Sequence, residues 1–173
     1  MDEYWGPIRG FPNYEINNFG MVQNIRTGRI MAQTKTFTGH LKVNLFDGQF
    51  QSTRSVHRLV AEAFVERPGP ESGSLAPCDT VIALDGDIAN VEASNLAWRP
   101  RSVAWRYTAQ FRETIPGAWH LLKVRNIDTR ARYDSIVEAG IGDGVLWAEI
   151  WSSINTGRRV APFAHAYESW GAM

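Results

Sequence analysis

Thr80 to Trp98 reads "TVIALDGDIANVEASNLAW", and the fold turns on how this stretch divides. Val81–Leu84 is a short apolar run bounded by turn residues, which predicts a strand. Asp85-Gly86-Asp87 is a turn, because glycine tolerates positive φ and aspartate side chains bond nearby backbone. Leu96-Ala97-Trp98 predicts a second short strand. Pro100 suits the first turn of a helix, Ser102 stands near its start, and the helix is expected over about 101–113. Between 80 and 113 the order is therefore strand, turn, strand, helix.

Upstream, "FPNYEINNFG" places turn residues on both sides of Tyr14-Glu15-Ile16, so residues 4–30 predict short strands joined by turns. In "HLKVNLF" Leu41, Val43 and Leu45 alternate with polar neighbours, the pattern of a half-buried strand. The "DGQ" at 47–49 is a hairpin signal. A helix then begins after Ser55, with Leu59, Val60, Ala63 and Phe64 as its apolar face, and Pro68 and Pro70 beyond its end. Residues 66–80 are loop by composition.

Downstream, "ETIPG" breaks the chain at 113–117. "WHLLKVRNID" reads as a strand. Asp134 is the expected N-cap of a short helix "SIVEA", with Glu138 in its first turn. "GIGDG" reads as a turn, Val145–Asn155 as a second helix ended by "TGRR", and "APFAHAYESW" as a returning strand. In the second helix Leu146, Ile150 and Ile154 form one apolar row, and Trp147 and Trp151 an adjacent one.

Composition narrows the class. The 173 residues are 44% hydrophobic and 21% charged, which fits a folded protein rather than a disordered one. No apolar run approaches the roughly 20 residues needed to cross a bilayer, so no membrane partner is expected. "MDEYWGPIRG" has no apolar core, so no signal peptide is expected. Cys78 is the single cysteine, which rules out an internal disulfide framework and a cysteine-rich zinc site and suits a reducing cytoplasm. Net charge is zero, but it is blocked: residues 1–60 carry seven Lys and Arg against four Asp and Glu, 61–100 two against seven, 101–133 seven against two, and 134–173 two against five. Such blocks read either as solvated faces or as basic surfaces for a phosphate backbone.

Four stretches, taken in order, resemble one family. "EYWGPIRGFPNYEINNFGMV" at 3–22 resembles the N-terminal modular motif of phage and intron HNH homing endonucleases, a Trp–Ile–Gly–Tyr–Glu–Val–Ser–Asn–Gly pattern. "SVHRLVAEAFV" at 55–65 is similar to the helix before the HNH finger. "DGDIANVEASNLAW" at 85–98 resembles the family's DGN…NN…NLRW stretch. "YDSIVEAG" and "IWSSINTGR" resemble the helix-turn-helix module that ends such proteins. The resemblance implies an elongated α+β protein: an N-terminal antiparallel β-region (1–54), a central ββα-metal finger (55–113) and a C-terminal helix-turn-helix module (114–173). It also implies a phage origin, double-stranded DNA as partner, and a place in the host cytoplasm or nucleoid.

In active members of the family, an Asp or Asn and a following His end the first finger strand, and an Asn stands on the finger helix. The His is the general base, and the others hold a divalent metal against the scissile phosphate. Those residue types are needed because a hard cation takes oxygen ligands and water attack needs a base in reach. Counting back from Asp85-Gly86, the first two positions fall on Ile82 and Ala83; counting forward from Trp98, the helix ligand falls on Ala104. None can ligate a metal or move a proton. The resemblance therefore points to a site with no catalytic residue intact, no metal and no cofactor. His57 has its counterpart in the family and is expected to pack or hydrogen-bond between helix and finger. His40, His120 and His165 are scattered.

Binding can outlast chemistry. Arg26, Arg29, Lys35, Lys42, Arg54 and Arg58 stand against Asp47 between 20 and 60, and they lie where the family embraces DNA. Arg99, Arg101, Arg106 and Arg112 crowd the finger helix, with 101 and 112 on one helical face; Arg158 and Arg159 follow the last helix. Ser152, Ser153, Asn155 and Thr156 are the polar tips available for base edges. Three functions stay open: a catalytically inactive DNA-binding relative, a protein-interaction module for a host or phage protein with Trp147 and Trp151 as its ridge, and a nuclease whose metal site is rebuilt around Asp85 and Asp87.

Overall fold

The structure, a computed structural model, describes residues 2–171. In chain order its elements are β1 (Trp5–Pro7), β2 (Tyr14–Asn17), β3 (Val22–Asn24), β4 (Gln33–Lys35), β5 (Leu41–Phe46), β6 (Gln51–Ser55), α1 (Val56–Phe64), β7 (Thr80–Ala83), β8 (Leu96–Arg99), α2 (Arg101–Gln110), β9 (Val124–Asn126), β10 (Arg132–Tyr133), α3 (Ile136–Asp143), α4 (Trp147–Thr156) and β11 (Tyr167–Ser169). The α+β class and the strand, strand, helix order of the finger are those expected. Packing divides the chain into two units: residues up to 66 with 87–98, and residues 67–86 with those from 99 on. No helix among the described residues is long and apolar enough to cross a membrane.

The first unit holds two three-stranded antiparallel sheets, β1-β2-β3 and β4-β5-β6, and α1. The "YEINNFG" stretch folds as it does because its two asparagines are buried and bonded. Asn17 Oδ1 accepts from the N–H groups of Phe19 (3.2 Å) and Met21 (2.7 Å), closing the β2–β3 turn. Asn18 Oδ1 accepts from Tyr4 N at 2.8 Å, and its amide donates to Asp2 O at 3.1 Å, which fastens the chain entering β1. Gly20 completes the turn at φ +90°, and any Cβ there would collide with Val91. Ile16, Val22, Val43, Leu45, Val56 and Val60 are buried. The Trp98 indole N–H donates to Val65 O at 3.1 Å, where α1 ends.

In the second unit α2 packs on β7, α3 on α4, and α4 on β11. The sheet β10-β9-β11 is antiparallel throughout. Val124, Ile136, Ala139, Val145, Trp147 and Ile150 belong to its apolar core. Polar groups then join α2 to the α3–α4 corner. Arg99, buried, donates from Nε to Gly144 O (2.8 Å) and from Nη2 to Asp143 O (2.6 Å). Those carbonyls end α3 and have no partner within the helix. Gly144 stands at φ +61°, and a Cβ there would meet the guanidinium. Gln110 Oε1 accepts from Trp147 N at 3.1 Å, and the Phe111 and Trp147 rings meet edge-on at 5.0 Å. The Asp143 carboxylate accepts from Tyr133, from Tyr167 (2.6 Å) and from Asn126 Nδ2 (2.9 Å). Burial, followed by that carboxylate, pushes both phenols up from their ordinary range.

Several local expectations shift. The buried face of α1 is Val56, Leu59, Val60 and Ala61, while Ala63 is exposed, because the helix starts with Val56 facing inward. Pro100 caps α2 rather than occupying its first turn, and the helix stops at Gln110; Phe111–Glu113 is a turn in which Arg112 and Glu113 donate to Ala109 O and Gln110 O. Arg112 thus lies past the helix, and the shared face with Arg101 does not exist. "WHLLKVRNID" is strand only at Val124–Asn126; Trp119 and His120 belong to a 3-10 turn begun after Pro116. The cap of α3 is Ser135, whose Oγ accepts from Glu138 N at 3.0 Å, while Glu138 accepts from Asp134 N at 2.8 Å. "GIGD" continues α3, and only Gly144 turns. Asp128 and Arg159 pair at 3.1 Å.

Replacing Arg99 with Met keeps its bulk and removes the donors to two carbonyls. The expected loss is about 1–3 kcal/mol, read from the urea midpoint, whereas Arg101→Met, on an exposed residue two positions along, stays within about 0.5 kcal/mol.

Candidate nucleic-acid interface

The three positions at which the resemblance places base and metal, Ile82, Ala83 and Ala104, carry only carbon in their side chains, and they are closed. Ile82 is 1% exposed, Ala83 5% and Ala104 4%. Ile82 and Ala83 end β7, and Ala104 lies on the buried side of α2 with Val103 and Tyr107. Tyr107 fills the same packing layer: its hydroxyl donates to Leu84 O at 2.7 Å, and burial pushes its phenol up. A divalent cation does not fit these residues, since their side chains offer no oxygen or nitrogen. Among the described residues no three His, Cys, Asp or Glu side chains are placed to hold a metal ion. Asp85 and Asp87 are exposed, on either side of Gly86, whose φ is +80°. Asp87 Oδ1 accepts from Ala89 N at 2.9 Å, as a turn aspartate does.

The basic residues of the first unit do not form one surface. Directly paired residues in adjacent antiparallel strands point to the same side. Lys42 pairs with Thr34 and Ser55, Asn44 with Thr53, and Phe46 with Gln51. With Val43 and Leu45 buried, this is the solvent face of the sheet. Lys35 pairs with Leu41, and Arg54 with Val43, so both belong to the opposite side; Arg54 reaches solvent there over the Phe11 ring, 5.3 Å away. Arg26 and Arg29 are exposed in the tight loop closed by Gly28 N to Asn24 O at 2.8 Å and Asn24 N to Arg29 O at 2.9 Å. Arg58 pairs with Glu62 at 2.9 Å.

The second unit uses several of its cations internally. Arg106 pairs with Glu149 at 2.7 Å. Arg159 donates to Asp128 and to Ala164 O at 2.6 Å, and the Ala166 N–H, then Arg159, hold the Asp128 carboxyl below its usual range. Arg99 is a structural donor, which corrects its placement among surface arginines; burial lowers its pKa. Arg101, Arg112 and Arg158 remain exposed. The block 101–133 also supplies cations whose role no sequence motif signals: Arg125 pairs with Glu168, and Lys123 and Arg132 lie over the Trp170 ring at 5.6 and 4.9 Å.

Helix α4 is a poor base reader. Asn155 and Thr156 bond their own helix, to Trp151 O and Ser152 O, each at 2.7 Å. Ser153 is buried and accepts from Tyr167 N at 3.1 Å. The tryptophan ridge is also absent, because Trp147 is buried in the core and Trp151 alone of the pair is exposed.

The first unit brings two histidines together that sequence spacing separates. The His40 and His57 rings are 5.3 Å apart, and His57 Nδ1 is buried without a partner. His120 is exposed, and His165 Nδ1 lies 3.1 Å from Asn126 Nδ2.

The NUMOD4 motif matches residues 3–46. An uncharacterized HNH endonuclease of Acanthamoeba polyphaga mimivirus is 37% identical over 95 residues, which is 53% of this chain and 22% of that protein. DNA endonuclease I-HmuI of Bacillus phage SP01 is 34% identical over 95 residues, 54% of this chain and 51% of the relative. The solved structure of HNH homing endonuclease I-HmuI, binding and cleaving DNA, covers 98% of this chain and 99% of its own at a TM-score of 0.51 and 22% identity. These matches support a relationship to the HNH homing endonucleases. The α+β fold is the one seen in I-HmuI. The matched segments span about half or less of these HNH relatives' own lengths.

Burial, then the neighbouring charges of His40 and Arg58, push His57 down from 6.5 to about 4. Between those two values the unfolded chain takes up a proton that the folded chain refuses. Stability from this site is therefore full above pH 6.5 and is lost as pH falls towards 4, by about 3 kcal/mol in all. Urea denaturation from pH 7 to pH 4.5 will show a steeper loss for the parent than for His57→Phe; parallel curves would refute this.

Proposed function

We propose that the chain binds double-stranded DNA and acts by occupying it rather than cutting it. The observation that carries this reading is the carbon-only, buried character of Ile82, Ala83 and Ala104. General-base catalysis needs a titratable group in reach of the attacking water, and none of these three supplies one. Binding needs much less. Phosphate contacts come from cations and backbone N–H groups, and they position a protein without chemistry.

Exposed Arg26, Arg29 and Lys42 are the residues assigned to the phosphate backbone, supported by Arg101, Arg112 and Arg158. On the solvent face, Asn44, Gln51 and Thr53 offer donors and acceptors beside Lys42. Beyond Val43 only β5 and β6 continue, and a two-stranded antiparallel ribbon is of the width that enters a major groove. This function places the protein in a host cytoplasm or nucleoid, as a regulator, a roadblock on DNA or a companion of an active nuclease. The protein-interaction alternative is weakened by the burial of Trp147.

Duplex binding measured in EDTA across a salt series tests the proposal. Retention without metal is expected, with log affinity falling linearly in log salt. The triple substitution Arg26→Ala, Arg29→Ala, Lys42→Ala should reduce the slope by about 0.9 for each phosphate no longer neutralised. Absence of binding at low salt, or an unchanged slope in the triple variant, would reject the interface.

A further inference from the structure

The second unit contains a cavity of about 440 Å³, lined by α2, the segment after it and the start of α4. Its volume lies in the range of small-molecule sites. Its walls include Trp105, Trp119 and Trp147, and Trp105 is 76% exposed, an unusual position for the largest apolar side chain. Gln110 also lines it. That side chain is 7% exposed, and its Oε1 is committed to the Trp147 N–H, so the orientation of the amide is set. Its Nε2 has no hydrogen-bond partner. Buried amide donors are nearly always satisfied, and an unsatisfied one on a residue of the cavity wall calls for an acceptor.

We propose that this cavity seats one unstacked nucleobase, with an indole as its stacking surface and Gln110 Nε2 donating to a carbonyl oxygen or ring nitrogen of the base. Every base has a face that stacks on an aromatic ring, and a glutamine amide reads base edges. Charge decides which part of a nucleotide enters. Glu113 lines the cavity, and Glu149 already holds Arg106 at 2.7 Å, so a phosphate is repelled from the interior. An uncharged base is not. Exposed Arg101 and Arg112, at the start of α2 and just past its end, favour the phosphates outside. A base stacked in a duplex cannot offer its face, so the site selects a bulged or single-stranded position. The inference rests on the DNA-binding reading and adds a site for an unpaired base to it.

The test uses the full chain and two oligonucleotide duplexes, one fully paired and one carrying a single bulged 2-aminopurine. The bulged duplex should bind at least about fivefold more tightly, and its fluorescence should fall on binding. Trp105→Ala should abolish both the preference and the quenching while leaving paired-duplex affinity unchanged. Gln110→Leu should reduce the preference; since Trp105 is exposed, its variant keeps the test decisive if Gln110→Leu misfolds. Equal affinity for both duplexes without quenching, or a preference that survives Trp105→Ala, overturns the proposal. So does Trp105-dependent binding of a proline-rich peptide with no response to the unpaired base. If neither duplex binds but free 2-aminopurine riboside is quenched in a Trp105-dependent way, the base site stands and the duplex interface falls. If the paired duplex binds and the unpaired base has no effect, the reverse holds.

Discussion

Arg99 is the residue on which the second unit depends. It is a buried cation that binds the carbonyls of Asp143 and Gly144, where α3 ends. A helix C-terminus carries partial negative charge and unsatisfied carbonyls, so a guanidinium there satisfies both at once. Asp143 is held from its other end by Tyr133, Tyr167 and Asn126. One residue of the α3–α4 corner is thus fixed through backbone and side chain. With Gln110 on Trp147 and Arg106 on Glu149, α2 is locked to that corner. Helix α2 and the C-terminal elements therefore share one core. Ile82 and Ala104 contribute apolar burial beside that core.

Strand geometry changes how the charges are read. A sum of cations along 20–60 treats the chain as a line, whereas a sheet has two sides. Lys42 falls on one and Arg54 on the other because the strand period is two. In the second unit, Arg99, Arg106, Arg125 and Arg159 are engaged within the protein. Far fewer arginines remain for DNA than the blocks of charge suggest, and those that do lie mainly on loops, with Lys42 beside them on the solvent face of β5.

Much of the fold was legible in the sequence where local rules act alone. The alternation in "HLKVNLF", the "DGQ" turn, the short strands around Asp85-Gly86-Asp87 and the four ordered motifs led to the α+β fold and to the likeness with HNH homing endonucleases. Misplacements came where tertiary packing overrides local preference. "GIGD" carries two glycines but stays helical because Gly140 gives the Trp147 indole room that any Cβ would take. Ser135 outcompetes Asp134 as a cap because Glu138 then reaches back to bond the preceding N–H. The burial of Arg99, the meeting of His40 with His57 and the cavity beside Trp105 arise from residues distant in the chain, and no spacing rule announces them.

The proposal of binding without cleavage rests on Ile82, Ala83 and Ala104, whose side chains offer no group to move a proton or hold a metal. The decisive measurement is supercoiled plasmid incubated with excess protein and magnesium or manganese, at concentrations that retard the same DNA on a gel. Retarded but unbroken plasmid is expected with either metal. Metal-dependent nicking by the parent that disappears in Asp85→Ala or Asp87→Ala would contradict this, and would place a working metal site at the Asp85-Gly86-Asp87 turn.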